Sequence, residues 1–150
     1  MEYISQIKQK ALSQKQKAPQ IIGDLIILNS PNIIRDVRKR WLMGESVLGG
    51  IIGEYSQSQL GQEYKAYKIA LNQSAKGTVD LTLTGALGDG LTVKKITQTD
   101  FKIFSVDGKY NKIGAKYGFD EFGLTDLEWH DLQTELLAFA IESAINRTYE

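Results

Sequence analysis

Carboxylates concentrated late in the sequence are the side chains that most readily suggest chemistry. Two carboxylates held at a fixed separation can act as acid and nucleophile in glycoside hydrolysis. Of the six carboxylates in this region, Asp126 and Glu128 are already explained, because Thr125-Asp126-Leu127-Glu128 is a capping box at the start of a helix. A solvated acidic surface is the favoured interpretation, and a small hydrolase using Asp120 and Glu121 is an alternative. The six are Asp107, Asp120, Glu121, Asp126, Glu128 and Asp131.

Histidine and cysteine chemistry is narrowly limited. The chain has no cysteine, which excludes thiol catalysis, thiolate zinc sites and disulfides. His130 is the only histidine, and no serine occurs in a Gly-x-Ser-x-Gly context. We therefore predict no catalytic residue, no metal ligand and no cofactor-binding residue, and expect a protein that is not an enzyme.

The glycine-rich stretch VDLTLTGALGDGLTV, residues 79–93, raises the question of a phosphate-binding loop. Its order, Gly85-x-x-Gly88-x-Gly90, differs from the dinucleotide fingerprint, and no Gly-Lys-Ser/Thr follows. The segment after it has the alternation of a strand, whereas a phosphate cradle requires a helix at that point. We predict a connection between two strands, with a short helical turn within residues 85–90 as an option.

The run RDVRKRW, residues 35–41, places four cations within six residues. Its cations lie mostly off the apolar stripe of an amphipathic helix, which favours a solvated face. Contact with acidic residues of a neighbouring subunit and a nucleic-acid-binding module are the other interpretations. The stripe itself consists of Ile33, Ile34, Val37, Trp41 and Leu42.

Charge and hydropathy narrow the class further. The 150 residues carry no net charge, yet residues 1–76 hold 11 Lys/Arg and 6 Asp/Glu, and residues 77–150 hold 7 and 12. Charges mixed over the surface are the favoured interpretation; if the two halves instead separate in space, head-to-tail contact between copies is favoured. No apolar run is long enough to span a bilayer, and the first residues lack the apolar centre of a signal peptide. We expect a soluble protein without membrane contact.

The elements that position these residues follow from periodicity. Helical spacing predicts a helix within residues 2–17, a second from Pro19, and a third that Ser30 caps, with Pro31 in its first turn. An ordered loop or hairpin is predicted from Gly44 to Gly53, and a short helix with Lys68 partly exposed at 59–71. Within the loop, four side chains need burial: Val47, Leu48, Ile51 and Ile52.

The second half changes to a period of two, which predicts strands at residues 79–84, from Leu91, and at 101–106. The first is a half-buried strand with Asp80 on its polar, solvent-facing side. Residues 109–118 are a fourth short strand or an irregular segment. A long helix from Thr125 then packs on the sheet. The predicted fold is α+β: N-terminal helices, a small antiparallel sheet of about three to four strands, and a C-terminal helix. We expect one domain, 1–150, with parts 1–43, 44–124 and 125–148.

Three segments together resemble the small neck, head–tail connector or tail-completion structural proteins of tailed bacteriophages. They are GGIIGEYSQSQLGQEYKAYK, VDLTLTGALGDGLTV and FKIFSVDGKYNKIGAKYGFDEFGLTD, and the likeness covers roughly residues 44–128. The shared pattern is a Gly-x-Tyr-Ser segment, a Leu-x-x-Thr-Gly motif, and Lys-Tyr-Gly with Phe-Gly-Leu leading into the last helix.

The resemblance implies a non-enzymatic virion component that forms a homo-oligomeric ring and contacts other neck, portal or tail proteins. It implies location in the neck or tail of the virion, with assembly in the host cytoplasm. DNA passes through such a ring without specific binding, and no small-molecule substrate or cofactor is implied. The candidate subunit-interface residues are Arg35, Arg38, Lys39, Arg40, Gly49, Gly50, Gly88 and Asp89.

Overall fold

A computed structural model describes residues 21–71, 77–82, 85–97 and 100–146. Within them the fold is α+β, as predicted, and residues 2–17, where the first helix was predicted, lie outside the described part. The elements in chain order are α1 (residues 21–28), α2 (Ser30–Leu42), α3 (Gln59–Leu71), α4 (Ala86–Asp89), β1 (Leu91–Lys95), β2 (Phe101–Ser105), α5 (Tyr110–Tyr117), a 3₁₀ turn (Phe119–Phe122) and α6 (Asp126–Asn146).

The sheet is smaller than the sequence predicts. In the described residues it has two antiparallel strands, β1 and β2, with Leu91 opposite Ser105 and Val93 opposite Ile103. The strand predicted from residue 79 is not formed, because Val79, Asp80 and Leu81 are all turned inward instead of alternating. Residues 83 and 84 lie outside the described part. The prediction of three to four strands is therefore wrong for these residues.

Residues 110–117 are helical, neither strand nor irregular as predicted. The Asp107-Gly108 turn starts this helix: the Asp107 carboxylate accepts a hydrogen bond from the backbone N–H of Lys109 at 2.7 Å. Tyr110, Ile113 and Tyr117 then recur at helical spacing and pack against the core. A short segment with one buried face fits a helical period and a strand period about equally well, and the Asp107 turn that precedes residue 110 favours the helix.

The described part of the glycine-rich stretch forms a short helix and the turn into β1. Its middle is the four-residue helix α4, so the short helical turn is confirmed. Gly85 precedes it with φ +76°, a conformation that L side chains rarely adopt. A Cβ on Gly90 would lie 2.7 Å from Ser105 Oγ, and that hydroxyl donates to the Leu87 carbonyl oxygen at 2.7 Å. The glycines therefore fix the entry into β1.

The predicted start of α6 is confirmed, whereas the predicted N-cap of α2 is wrong. The capping box is confirmed: Thr125 N–H donates to the Glu128 carboxylate at 2.7 Å, and Glu128 N–H donates to Thr125 Oγ1 at 3.1 Å. The N-cap of α2 is Asn29 instead of Ser30. Ser30 lies within the helix, and its hydroxyl donates back to the Ile27 carbonyl oxygen at 2.5 Å.

The core lies between α2, the sheet, the 3₁₀ turn and the first half of α6. Trp41 is fully buried and meets Phe122 edge-on, with ring centroids 5.2 Å apart. Trp129 of α6 packs on Phe101 of β2 at 5.5 Å, as expected for a final helix packed on the sheet. Beyond Leu136 the apolar face of α6 is exposed at three residues, contrary to prediction: Leu137, Phe139 and Ile141.

Candidate functional site

The candidate interface residues other than Arg40 form three groups: a cluster between α2 and α4, a strip on α2, and the tip of the loop that follows α2. The cluster joins α2 to α4: Arg38 pairs with Asp89 at 2.8 Å, and a Cβ on Gly88 would lie 3.3 Å from Arg38 Nε. Gly88 is buried there, and a Cβ at this position would require the Arg38 side chain to shift by a few tenths of an ångström. Three residues separated by about 50 positions in sequence thus form one surface patch.

The basic strip consists of Arg35 and Lys39, one turn apart on the exposed side of α2. Arg35 forms a surface pair with its neighbour Asp36 at 3.0 Å. Lys39 is exposed and has no ion pair within the described part of the chain. Exposed pairs of this kind contribute little to stability, so the strip is available to a partner.

Arg40 differs from its neighbours, because its side chain is buried and not on the solvated face that the sequence suggested. Its guanidinium donates to the Glu128 carboxylate at 2.5 Å and to the carbonyl oxygens of Glu121 and Gly123 at 3.0 and 2.8 Å. The residue adjoins Trp41, so its long side chain reaches inward beside the core. Arg40 therefore joins α2 to the 3₁₀ turn and to the start of α6.

Glu121 extends this network to the loop after α2, and it is buried instead of lying on an acidic surface. Its carboxylate accepts from Ser46 Oγ at 2.6 Å and from Val47 N–H at 3.1 Å. Both oxygens are therefore occupied by the loop. Its sequence neighbour Asp120 is exposed. Asp120 and Glu121, the two carboxylates of the hydrolase alternative, thus occupy different environments, and Glu121 holds the backbone of the loop after α2.

The loop itself is a hairpin, residues 45–51, within the predicted Gly44–Gly53 segment. Glu45 and Ile51 form an antiparallel bridge, and Ser46 N–H donates to the Gly50 carbonyl oxygen at 3.0 Å. Gly49 and Gly50 turn the chain with φ +87° and +78°. Burial was predicted for Leu48 and Ile51, but they are 84% and 48% exposed. We call Leu48, Gly49, Gly50 and Ile51 the hairpin tip.

A cavity of about 430 Å³ lined by three tyrosines was not foreseen from the sequence. Tyr55, Tyr64 and Tyr117 form its aromatic wall, and Lys109 and Lys116 also line it. Asp80 lies in the wall as well, with its side chain turned inward toward α3. Only the Tyr-rich composition of residues 55–67 pointed to this region.

Behind this wall lies a buried ion pair. Lys68 Nζ donates to Asp80 Oδ1 at 2.5 Å, and both side chains are almost fully inaccessible. The same oxygen accepts from Thr82 N–H at 3.0 Å. Lys68 was predicted to be partly exposed and Asp80 to face solvent, so both predictions are wrong. The signal available in the sequence was that Tyr64 and Lys68 share a helical face, which brings the lysine toward the core with the ring.

Burial, reinforced by the nearby Asp80 carboxylate, raises the pKa of Tyr55 from 10.0 to about 12. The pKa of Tyr64 is also raised, by burial first and then by Asp80. The Tyr55 hydroxyl is buried and lacks a hydrogen-bond partner in the described structure. It therefore keeps its proton in the folded chain when an unfolded tyrosine would lose it.

This shift predicts a loss of stability at alkaline pH. The contribution of Tyr55 is complete below pH 10 and declines between pH 10 and 12, because the unfolded state releases the proton first. Denaturant unfolding across this interval should show a steeper fall for the native chain than for Tyr55→Phe. Equal pH slopes for the two proteins would contradict the shift.

The described residues provide neither a metal-binding cluster nor a membrane-spanning helix. No group of three or more His, Asp or Glu side chains there is arranged to hold a metal ion. His130 is exposed on α6. No described helix is both long enough and apolar enough to cross a membrane.

Comparison of the chain with family models, curated proteins and solved structures finds no match. The arrangement of its own residues therefore has to support any assignment. That arrangement presents an apolar hairpin tip, whose base is held by hydrogen bonds, and charged helix faces.

Proposed function

We propose that this chain is a non-enzymatic structural subunit of a tailed-bacteriophage neck or tail-completion ring. It acts by contacting further copies of itself and the adjoining portal or tail proteins. Its place is the neck or tail of the virion, after assembly in the host cytoplasm. The sequence resemblance over residues 44–128 supports the class, and the hairpin tip supports the mode of action.

The hairpin tip is the observation that carries the proposal. Buried hydrogen bonds from Glu121 hold the base of the hairpin, and yet its end leaves Leu48 almost entirely in water. Exposing a leucine forgoes about 1.5–3 kcal/mol of burial. A rigid support for an apolar end is typical of a surface that another subunit covers.

The surface beside the tip fits the same use. A groove of about 520 Å³ adjoins the tip, and its lining includes Val47, Leu48, Phe119 and Leu124. Phe119 is itself half exposed. Charged side chains of Lys102, Asp120 and Asp126 also line the groove, so it combines apolar and polar contacts for a neighbour, as protein interfaces do.

Of the two alternatives, nucleic-acid binding loses one of its cations because Arg40 is buried. The hydrolase loses a free carboxylate, because both oxygens of Glu121 are bonded to the hairpin. Neither alternative gains a supporting observation from the described residues. The assembly role remains the function that this geometry supports best.

Leu48→Asp is expected to weaken self-association by about 10- to 100-fold, the equivalent of about 1.5–3 kcal/mol of lost burial. Mass measurement in solution over a range of concentrations, with negative-stain imaging alone and with portal and tail proteins, gives the readout. Leu60→Asp is the matched control, since Leu60 is 79% exposed on α3.

A native chain that stays monomeric and joins no particle with portal or tail proteins would refute the assembly role. Equal association of Leu48→Asp and the native chain would leave the assembly role standing and remove the tip from the contact.

A further inference from the structure

The exposed side of α6 is acidic along its length. The helix carries five carboxylates and no lysine or arginine. Asp131, Glu135 and Glu142 are spaced by four and seven residues and therefore share one face. All three are exposed, and none has an ion pair within the described chain. We call them the acidic face; Leu127, one turn earlier on the same side, is 70% exposed.

The exposed side of α2 is the counterpart. The basic strip of Arg35 and Lys39 has the same four-residue spacing as Asp131 and Glu135. Leu42, at the end of this side of α2, is also exposed. Each helix thus presents two like charges one turn apart, with opposite signs on the two helices. The exposed leucine follows the charges on α2 and precedes them on α6.

Both helices also contribute to the shared core. Val37 lies on the opposite side of α2 from Arg35 and Lys39, whereas the buried Leu132 directly follows Asp131 and lies beside the acidic face of α6. Among the described residues, Arg40–Glu128 is the ion pair that joins these helices, and it lies inward. The charged faces therefore remain for contacts between molecules.

We propose that the basic strip of α2 docks antiparallel on the acidic face of α6 in a second copy of this chain. Arg35 then meets Glu135, Lys39 meets Asp131, and Leu42 approaches Leu127. Four residues span about 6 Å on each helix, so both pairs are in register. This inference rests on the proposed assembly function and specifies its contact.

Such a contact is heterologous, because each copy uses one face for the preceding neighbour and another for the next. Repetition produces a closed ring or an open filament. Charge complementarity sets the register and the encounter rate, and the leucine contact contributes apolar burial. Association is therefore expected to weaken as ionic strength rises.

The test uses charge reversal on each face. Arg35→Glu with Lys39→Glu, and Asp131→Lys with Glu135→Lys, should each reduce association at least tenfold, because like charges then oppose each other. Mixing the two variants, or combining all four changes in one chain, should restore it. Lys94→Glu with Lys112→Glu is the matched control, since it changes net charge equally at exposed positions elsewhere.

Sedimentation velocity at low and moderate salt measures association, and circular dichroism checks that each variant folds. Persistent assembly of both reversed variants, or no recovery on mixing, would overturn the docking while leaving the assembly function intact. A native chain that never assembles would overturn both. If the first pair of changes abolishes DNA binding and leaves assembly unchanged, the strip belongs to nucleic acid and the proposal fails.

Discussion

Replacing Lys68 with methionine is expected to lower the free energy of unfolding by about 3–5 kcal/mol. The substitution leaves the Asp80 carboxylate buried without its counter-charge, and hydrogen bonds from Thr82 replace only part of that interaction. Methionine matches the length of the lysine stem, so packing loss adds little. Denaturant unfolding followed by circular dichroism measures the effect.

Two variants separate charge from packing at this pair. Lys68→Met combined with Asp80→Asn should recover most of the lost stability, because no charge then remains buried. Lys112→Met, at an exposed lysine, should change stability by about 0.5 kcal/mol or less. A Lys68→Met protein as stable as the native chain would show that the pair is not buried in solution.

Replacing Arg40 with methionine should have a comparable effect, about 3–5 kcal/mol, for a different reason. The guanidinium donates to two carbonyl oxygens in addition to the Glu128 carboxylate. Methionine removes these donors and the positive charge beside Glu128, although Trp41 Nε1 still donates to the Glu121 carbonyl oxygen and Thr125 N–H to the Glu128 carboxylate. Arg40→Lys should recover only part of the loss, because an ammonium cannot match the planar arrangement of donors.

The neighbouring Lys39→Met is the control, since Lys39 is exposed one position earlier on the same helix. In a double-mutant cycle with Glu128→Gln, the coupling energy should be about 1 kcal/mol or more, because the two side chains are in direct contact. Additive effects in that cycle, or equal losses for Lys39→Met and Arg40→Met, would contradict the network described above.

Elements with strong local signals could be predicted from sequence. The capping box placed the start of α6, because Thr125 and Glu128 satisfy each other's backbone within one turn. Alternation placed β1 and β2, since a half-buried strand has a period of two. Around α4 only the optional short helical turn and the strand that follows it were predicted correctly, since the strand predicted before the glycines is not formed in the described residues.

The predictions that failed concern side chains whose partners are distant in sequence. Asp80 alternates with apolar residues as a solvent-facing strand position would, but Lys68 draws it inward from a helix 12 residues away. Arg40 looked like one of four equivalent cations, and only the carbonyl groups of residues 121 and 123 distinguish it. Periodicity along a chain carries no information about such partners.

The candidate site was predicted in part for the same reason. Its residue types and the hairpin were identified, whereas the pairing of Arg38 with Asp89 and the exposure of Leu48 were not. A leucine is expected to be buried on hydropathy alone. Its position at the end of a braced hairpin depends on Glu121, 73 residues later.

Because the hairpin is held by residues far downstream, its support forms late in the synthesis of the chain. Ser46 and Val47 are held by a carboxylate 75 and 74 residues downstream, and Arg40 by one 88 residues downstream. Translation proceeds at about 5–20 residues per second, so several seconds pass between the synthesis of the hairpin and that of Glu121. Under the proposed assembly function, a chain that is still being synthesised would not present the hairpin tip in its final geometry, which disfavours association before synthesis ends.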